Sequence, residues 1–202
     1  VTVAELDKFF IDLNPSKRTP EGRDGIKWGD PGTEIKAIAT TWMATIDVIN
    51  RAAELGCNVI VTHEPTFHWD DVRSEKTEWQ IAEERSTPIK AKQDLLDRYG
   101  MAVIRIHDLW DNYPEYGITA GLARKLNWRK RVEAEGQVPM YEVRPVPLGE
   151  VARHAKVRLR LRCVRVVGDM SKDVSKIAIA VGAFGGLPVV LRAVEQGADC
   201  LI

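Results

Sequence analysis

The sequence predicts an α/β fold made of two related three-layer halves with mostly parallel sheets. A helix, a glycine and a short apolar strand follow one another at residues 46–61, at residues 88–106 and again near residue 200. Short continuous apolar runs are typical of strands buried on both faces, and glycine commonly ends a helix. Because parallel strands need crossover connections, which are usually helices, this alternation predicts helices packed on both faces of a sheet.

The first half is predicted to cover residues 1–126. Its helices carry apolar side chains at helical spacing and stop at glycines, and its strands are short apolar runs. The predicted elements are, in order, a strand at 35–40, a helix at 46–55 that stops at Gly56, a strand at 57–61, a helix at 88–99 that stops at Gly100 and a strand at 101–106.

The rest of the chain is predicted to hold a connector and the start of the second half. Residues 127–150 are charged and rich in proline and glycine, which predicts a connector with short strands, and residues 151–202 begin the second half. The stretch 192–197 repeats four residues of the stretch 51–56 at one constant offset. Because this copy stops at Ile202, where the first copy reaches its polar residues, we expect the second half to be truncated there.

Composition and charge exclude several classes of protein. Basic and acidic residues both number 29 in 202, so the zero net charge excludes a globally basic nucleic-acid binder. The longest uncharged apolar stretch, residues 177–191, is too short and too interrupted by glycine and proline to span a bilayer. No signal peptide is recognisable at Val1. The cysteines are scattered, so we expect them to be reduced core residues of a cytoplasmic protein; they are Cys57, Cys163 and Cys200.

One segment is locally basic. Residues 129–169 hold ten lysines and arginines against five acidic residues, and Arg158, Arg160 and Arg162 alternate with apolar residues. This pattern indicates either an anion or nucleic-acid face, or an exposed strand or helix face protected against edge pairing. The absence of interleaved aromatic residues favours the exposed face and argues against nucleic acid as a partner.

Two histidines at equivalent positions are candidate metal ligands. His63 and His107 each follow a predicted strand, so we expect both at the rim where parallel strands end, the usual ligand site of α/β sheets. Glu64, Asp108 and Asp111 accompany them. Imidazoles with carboxylates suit Zn²⁺, Fe²⁺ or Mn²⁺, and two bridging carboxylates would allow a pair of ions. The alternative is that each histidine is an ordinary polar residue at a strand end.

Other residues and motifs are weaker candidates for a functional site. His68 could reach the site on a loop, whereas His154 lies in the basic segment and is expected in solvent. Trp69 and Trp110 flank the candidate ligands and could wall a pocket. The glycine-rich run 182–186 suits either a phosphate-binding turn or an ordinary tight turn, because it lacks the G-x-G-x-x-G spacing.

Two motifs resemble the signatures of a known family. The strand ending in Thr62-His63-Glu64-Pro65 is similar to an apolar strand that ends in Thr-His-His-Pro, with glutamate for the second histidine. The segment from His107 to Asp111 keeps the His-x-x-x-Asp frame of a second signature, His-Thr-Asn-Leu-Asp. Further likeness runs through 164–169, 176–186 and 197–199. In this order the motifs resemble the NIF-three-like family of dinuclear metal-centre proteins, often labelled GTP cyclohydrolase type 2 homologues.

The resemblance implies a homo-oligomer, a hexameric ring built as a trimer of dimers, with a metal pair in each subunit. It implies that His63, His107 and Asp111 are metal ligands and that Glu64 stands at a ligand position with altered chemistry. A carboxylate is a harder ligand than imidazole, which changes the metal preference expected from the family and can disable one of the two metal positions. We therefore expect one or two divalent ions per subunit, as Zn, Fe or Mn. The remaining ligands of the family would lie beyond Ile202.

The sequence and the resemblance leave three functions open. The first is a metal-dependent hydrolase that cleaves a C–N or P–O bond of a nucleotide-like small molecule. The second is a non-catalytic metal-delivery or regulatory oligomer with the same ligands. The third is a metal-free nucleotide-binding module that uses the glycine-rich run. An acid beside the ligands that does not bind metal would separate the first two, and Asp108 is the candidate catalytic residue of this kind.

Overall fold

The chain forms two compact units, Val1–Tyr113 and Pro114–Ile202. Their division lies before residue 126, the predicted end of the first half, because Leu126 and Trp128 are buried in the core of the second unit. The computed structural model describes residues 1–14, 22–67, 78, 87–132, 138–182 and 186–202.

The first unit is a four-stranded sheet covered by helices. Its described elements are α1 (Val3–Leu13), β1 (Gly25–Trp28), β2 (Ile38–Thr41), α2 (Ile46–Glu54), β3 (Val59–Thr62), α3 (Thr87–Arg98), β4 (Ala102–Arg105) and α4 (Asp108–Asp111). The strand order is β1-β4-β3-β2. β3 runs parallel to both β2 and β4, and β1 pairs antiparallel with β4, so this sheet is mostly parallel, as predicted.

Capping side chains and glycines define the helix ends of the first unit. α1 begins with a capping box in which Thr2 and Glu5 each accept a hydrogen bond from the backbone N–H of the other. The hydroxyl of Thr45 caps α2. Gly56 and Gly100, which follow α2 and α3 after one residue, adopt positive φ angles of 74° and 58°. Since glycine adopts this left-handed conformation without a steric penalty, the predicted helix stops are confirmed.

β3 and β4 are buried between two apolar layers. Alternate residues of these strands face two clusters, one shared with α2 and α3 and the other with α1. This arrangement is the predicted three-layer packing. Thr62 lies opposite Arg105 in the parallel register, so the carboxyl ends of β3 and β4 lie side by side.

The second unit has a different sheet. Its described elements are α5 (Ile118–Lys125), β5 (Lys130–Arg131), β6 (Met140–Pro147), α6 (Leu148–Arg158), β7 (Asp173–Ala178), α7 (Leu187–Glu195) and β8 (Cys200–Leu201). In the order β5-β6-β7-β8, only β7 and β8 are parallel. The prediction of a mostly parallel sheet is therefore wrong here, because β6, which lies within the predicted connector 127–150, pairs antiparallel with β7.

β7, α7 and β8 nevertheless repeat the arrangement of β2, α2 and β3. In each case a strand, a helix, a glycine with positive φ and a parallel strand follow one another, and Gly197 has a φ of 79°. Asn58 and Asp199 occupy equivalent places, since their side chains accept the backbone N–H of Lys36 and Lys176. This shared contact supports two related halves.

The basic segment has little regular structure. α6 ends at Arg158, and residues 159–169 form neither helix nor strand and are mostly exposed. Cys163 is exposed within it, which contradicts its prediction as a core residue, whereas Cys57 and Cys200 are half-buried. Among the residues described, none of the helices is long and apolar enough to cross a membrane.

Candidate metal centre

The carboxyl ends of β3 and β4 bring two histidines together. His63 follows β3 directly, and His107 follows β4 after one residue. Their imidazole rings stack with centroids 4.4 Å apart and an angle of 20° between the planes. The side chains are mostly buried, with exposed fractions of 17% and 21%. The prediction that these residues meet at one rim of the sheet is confirmed.

One nitrogen of each ring is engaged by the protein. His63 Nδ1 lies 3.1 Å from the carbonyl oxygen of Ile106. A carbonyl only accepts hydrogen bonds, so this contact places the hydrogen on Nδ1 and leaves Nε2 to bind a metal. His107 Nδ1 lies 2.8 Å from Oδ1 of Asp108. Metal-ligating histidines commonly donate their second nitrogen to a carbonyl or carboxylate in this way.

Carboxylates complete the cluster. Ligand atoms of His63, Glu64 and His107 lie within 4.8 Å of one another. Atoms that share a zinc ion at about 2.0–2.2 Å are at most about 4.4 Å apart, so small side-chain movements would bring these three to one ion. Asp111 Oδ2 lies 3.8 Å from His63 Nε2 and 4.0 Å from His107 Nδ1. The donor set therefore fits a divalent metal.

Glu64 is accompanied by a buried arginine. The Arg105 side chain is 1% exposed, and its Nη2 lies 3.9 Å from Glu64 Oε2. Its Nε donates a hydrogen bond to the carbonyl oxygen of His63 at 2.9 Å. The guanidinium thus offsets the negative charge that glutamate adds to the site. The only sequence signal for Arg105 is an arginine at the end of an otherwise apolar strand, where burial requires a partner.

A buried carboxylate anchors α4. Asp24 Oδ1 accepts the backbone N–H of His107, and its Oδ2 accepts that of Leu109 at 3.1 Å. Burial raises the pKa of Asp24, against the opposing effect of these hydrogen bonds. Asp24 therefore positions His107 without being a candidate ligand. Local sequence carries no signal for this role, because the two partners are 83 and 85 residues away along the chain.

Asp108 and Asp111 differ in their electrostatics. Burial raises the pKa of Asp111, and the carboxylates of Asp108 and Glu64 add to this effect, although the two imidazoles oppose it. Burial also acts to raise the pKa of Asp108, but the hydrogen bond from His107 and the charge of Arg23, 3.2 Å away, outweigh it and lower that pKa. Asp108 is therefore a charged partner of His107.

An exposed tryptophan borders the cluster. Trp42 follows β2, and its ring stacks on His63 with centroids 4.5 Å apart and planes at 29°. Its side chain is 64% exposed. Trp110 lies in α4 with its ring against Tyr113, and Trp69 falls outside the described residues. The position of Trp42 depends on the pairing of β2 with β3, so no local motif reveals it.

Comparison with known protein families agrees with the family that the motifs resemble. The sequence profile of the family described as Duf34/NIF3 (NGG1p interacting factor 3) matches residues 2–202. This chain belongs to the DUF34/NIF3 family. A curated relative of this NIF3 protein, the GTP cyclohydrolase 1 type 2 homolog of Clostridium acetobutylicum, is 25% identical over 221 residues. That alignment covers 99% of this chain and 74% of the relative.

Solved structures show the same NIF3 fold. A hypothetical protein from Staphylococcus aureus superposes with a TM-score of 0.71 at 22% identity, over 99% of this chain and 77% of that chain. A Bacillus cereus protein related to NIF3 gives a TM-score of 0.70 at 14% identity, over 100% of this chain and 81% of that chain. At these identities the likeness concerns the fold alone.

Among the described residues, the remaining predicted candidates of this NIF3 protein add no side chain to the cluster. His68 and residues 183–185 of the glycine-rich run lie outside the described residues. His154 belongs to α6 of the second unit and is exposed, as predicted, although its Nε2 lies 2.7 Å from the carbonyl oxygen of Leu126.

Proposed function

We propose that this NIF3 protein binds divalent metal at His63, Glu64, His107 and Asp111 and hydrolyses a C–N or P–O bond of a nucleotide-like small molecule. The observation that carries the proposal is the convergence of two imidazoles from adjacent strands, each with its Nδ1 already bonded within the protein. Such contacts orient metal-ligating histidines in advance of the metal. The name of the Clostridium relative, a GTP cyclohydrolase 1 type 2 homolog, supports a nucleotide-like substrate.

The chain supplies orientation and electrostatics to this chemistry. A bound divalent metal would act as a Lewis acid and lower the pKa of a bound water. The contacts to Ile106 and Asp108 hold the two imidazoles in place. The guanidinium of Arg105 lies close to the carboxylate of Glu64. The partial burial of the candidate metal ligands strengthens their electrostatic interactions.

A second candidate function is a non-catalytic metal-delivery or regulatory protein with the same ligands. The state of Asp108 favours it, because this acid is bonded to His107 and paired with Arg23. These contacts lower the pKa of Asp108, so it is a weak base and a poor carrier of protons near neutral pH. The metal-free nucleotide-binding function stays a prediction, since part of its glycine-rich run lies outside the described residues.

Metal content and turnover together test these proposals. Elemental analysis of wild-type protein should find one or two divalent ions per subunit. His63→Ala and His107→Ala should lose them, whereas His154→Ala, the matched control in the second unit, should keep them. Hydrolysis of a panel of nucleotides that disappears in His63→Ala supports the hydrolase, and bound metal without turnover supports the second function. Wild-type protein that binds no Zn, Fe or Mn would contradict both.

We further propose that the protein is a cytoplasmic homo-oligomer, with the hexamer that the NIF3 resemblance implies. Leu187, Leu191 and Val194 expose 68%, 53% and 65% of their surface on one face of α7. An apolar face of this kind supports burial against another subunit. The cytoplasmic location is supported by the cysteines, which are unpaired and therefore suit a reducing compartment. Sedimentation should show the oligomer, and a monomer of 22.7 kDa at micromolar concentration would contradict it.

A further inference from the structure

Trp42 combines two properties that seldom occur together. It is one of the most exposed large apolar side chains among the described residues, at 64%, yet its ring packs on a mostly buried histidine of the candidate metal centre. Aromatic rings normally gain stability by burying both faces. Core packing therefore does not account for a tryptophan that leaves one face in solvent beside a polar cluster.

The stack defines which face of Trp42 is open. The His63 ring is nearly parallel to both Trp42 and His107, with centroids 4.5 Å and 4.4 Å away. Because β3 lies between β2 and β4, the rings of Trp42 and His107 approach His63 from opposite sides. One face of the Trp42 indole is thus covered by His63, and its exposure belongs mainly to the other face.

The backbone of Trp42 is fixed to the same turn that carries the candidate ligands. Its carbonyl oxygen accepts the Thr62 hydroxyl at 3.1 Å, the backbone N–H of His63 at 3.2 Å and that of Glu64 at 2.8 Å. Three donors from consecutive residues meet at one acceptor. The backbone of Trp42 is therefore held next to the metal cluster, and the stack on His63 is the contact that positions its ring.

We propose that Trp42 is a specificity-determining residue, whose open face stacks on a planar heteroaromatic ring of the ligand, such as a nucleobase. The inference rests on the proposed function and names the part of the substrate that the metal cluster does not bind. Stacking recognises a ring by its π-face and area, and alanine substitution at such platforms weakens binding about five- to 150-fold per base. The ring is held by the indole, while the metal centre receives the charged or reacting group.

Two probes that differ only by the ring test the inference. Calorimetry with metal-loaded protein compares GMP with ribose 5-phosphate, which has the same sugar and phosphate without the base. Wild-type protein should bind GMP at least tenfold more tightly. Trp42→Leu, which keeps apolar bulk but no ring, should weaken GMP binding roughly tenfold and leave ribose 5-phosphate unchanged. Trp42→Phe should retain most of the affinity, and Tyr116→Ala, which removes an aromatic ring 54% exposed in the second unit, should change neither probe.

Several outcomes would overturn the inference. Equal affinity of wild-type protein for the two probes, undetectable binding of GMP, or equal losses for both probes in Trp42→Leu would each do so. A variant that shifts the sedimentation coefficient without selective loss of GMP binding would show that Trp42 packs against another chain. Metal content is measured first, so an empty wild-type protein refutes the proposed function, whereas a loaded protein that ignores the base refutes only the stacking role.

Discussion

Arg105 and His63 are joined by a hydrogen bond from a buried guanidinium Nε to a backbone carbonyl oxygen, at 2.9 Å. The bond links the last residue of β4 to the residue that follows β3. The same guanidinium lies 3.9 Å from Glu64. One buried cation therefore supports both the backbone of one candidate ligand and the carboxylate of the next, and its removal should affect stability and metal binding together.

Arg105→Ala should lower the free energy of unfolding by about 1.5–3 kcal/mol, because it leaves the His63 carbonyl and Glu64 without their charged partner. Urea denaturation measures the loss. Arg158→Ala is the matched control, since the Nε of Arg158 also donates to a carbonyl at 2.9 Å but from an exposed side chain. We expect a loss of less than about 0.5 kcal/mol there. Equal losses in the two variants would mean that burial does not set the role of Arg105.

Glu64→His should restore a second imidazole to the first motif and raise the affinity for zinc relative to manganese, because imidazole is the softer ligand. Competition titrations followed by elemental analysis measure this preference. Glu54→His, exposed on α2, should leave it unchanged. If Glu64 acts as a general base, the variant should lose turnover and keep its metal content. No change in metal preference or in turnover would remove Glu64 from the site.

Asp24→Ala should weaken metal binding roughly tenfold although Asp24 is not a candidate ligand, because the His107 backbone loses its anchor. Asp24→Asn should be milder, since its one remaining oxygen can still accept a hydrogen bond. Asp30→Ala, which removes an exposed aspartate that accepts a backbone N–H within a turn, serves as the control. Isothermal titration with zinc gives the affinities. Undiminished affinity in Asp24→Ala would show that α4 keeps His107 in place without this contact.

Asp199 should make the stability of the protein depend on acid pH. Hydrogen bonds from the backbone N–H groups of Ser175 and Lys176 lower the pKa of Asp199 in the folded state. The stabilisation is thus complete above the ordinary carboxyl pKa of about 4 and is lost as the pH falls through the lower folded-state pKa. Asp199→Asn, which copies the amide of Asn58 in the first half, should lose this dependence.

Unfolding free energies at a series of pH values from about 6 down to about 2 test this expectation. The wild-type protein should lose stability more steeply than Asp199→Asn in the most acidic part of the range. Asp173→Asn makes the same charge change at an exposed position of β7 and should follow the wild-type curve. Parallel curves for all three proteins would show that Asp199 does not carry the effect.

Much of the first unit could be predicted from local patterns. The helices at 46–55 and 88–99 are found at Ile46–Glu54 and Thr87–Arg98, and the glycines that end them have positive φ. These signals are local, because apolar spacing and a glycine stop act within one or two helical turns. The second sheet was less predictable, since Pro145 and Pro147 interrupt the strand pattern of the eight-residue β6, for which the sequence predicted only short connector strands.

The candidate site likewise has a part that local patterns predict and a part that they do not. Local motifs are enough to show that His63 and His107 follow buried strands and that acids accompany them, because each motif is continuous along the chain. That Trp42, Arg105 and Asp24 surround the two histidines is seen only in three dimensions. These residues reach the site through strand pairing and through loops that meet across long sequence separations, and neither the register of a sheet nor the path of a loop is encoded in a local period.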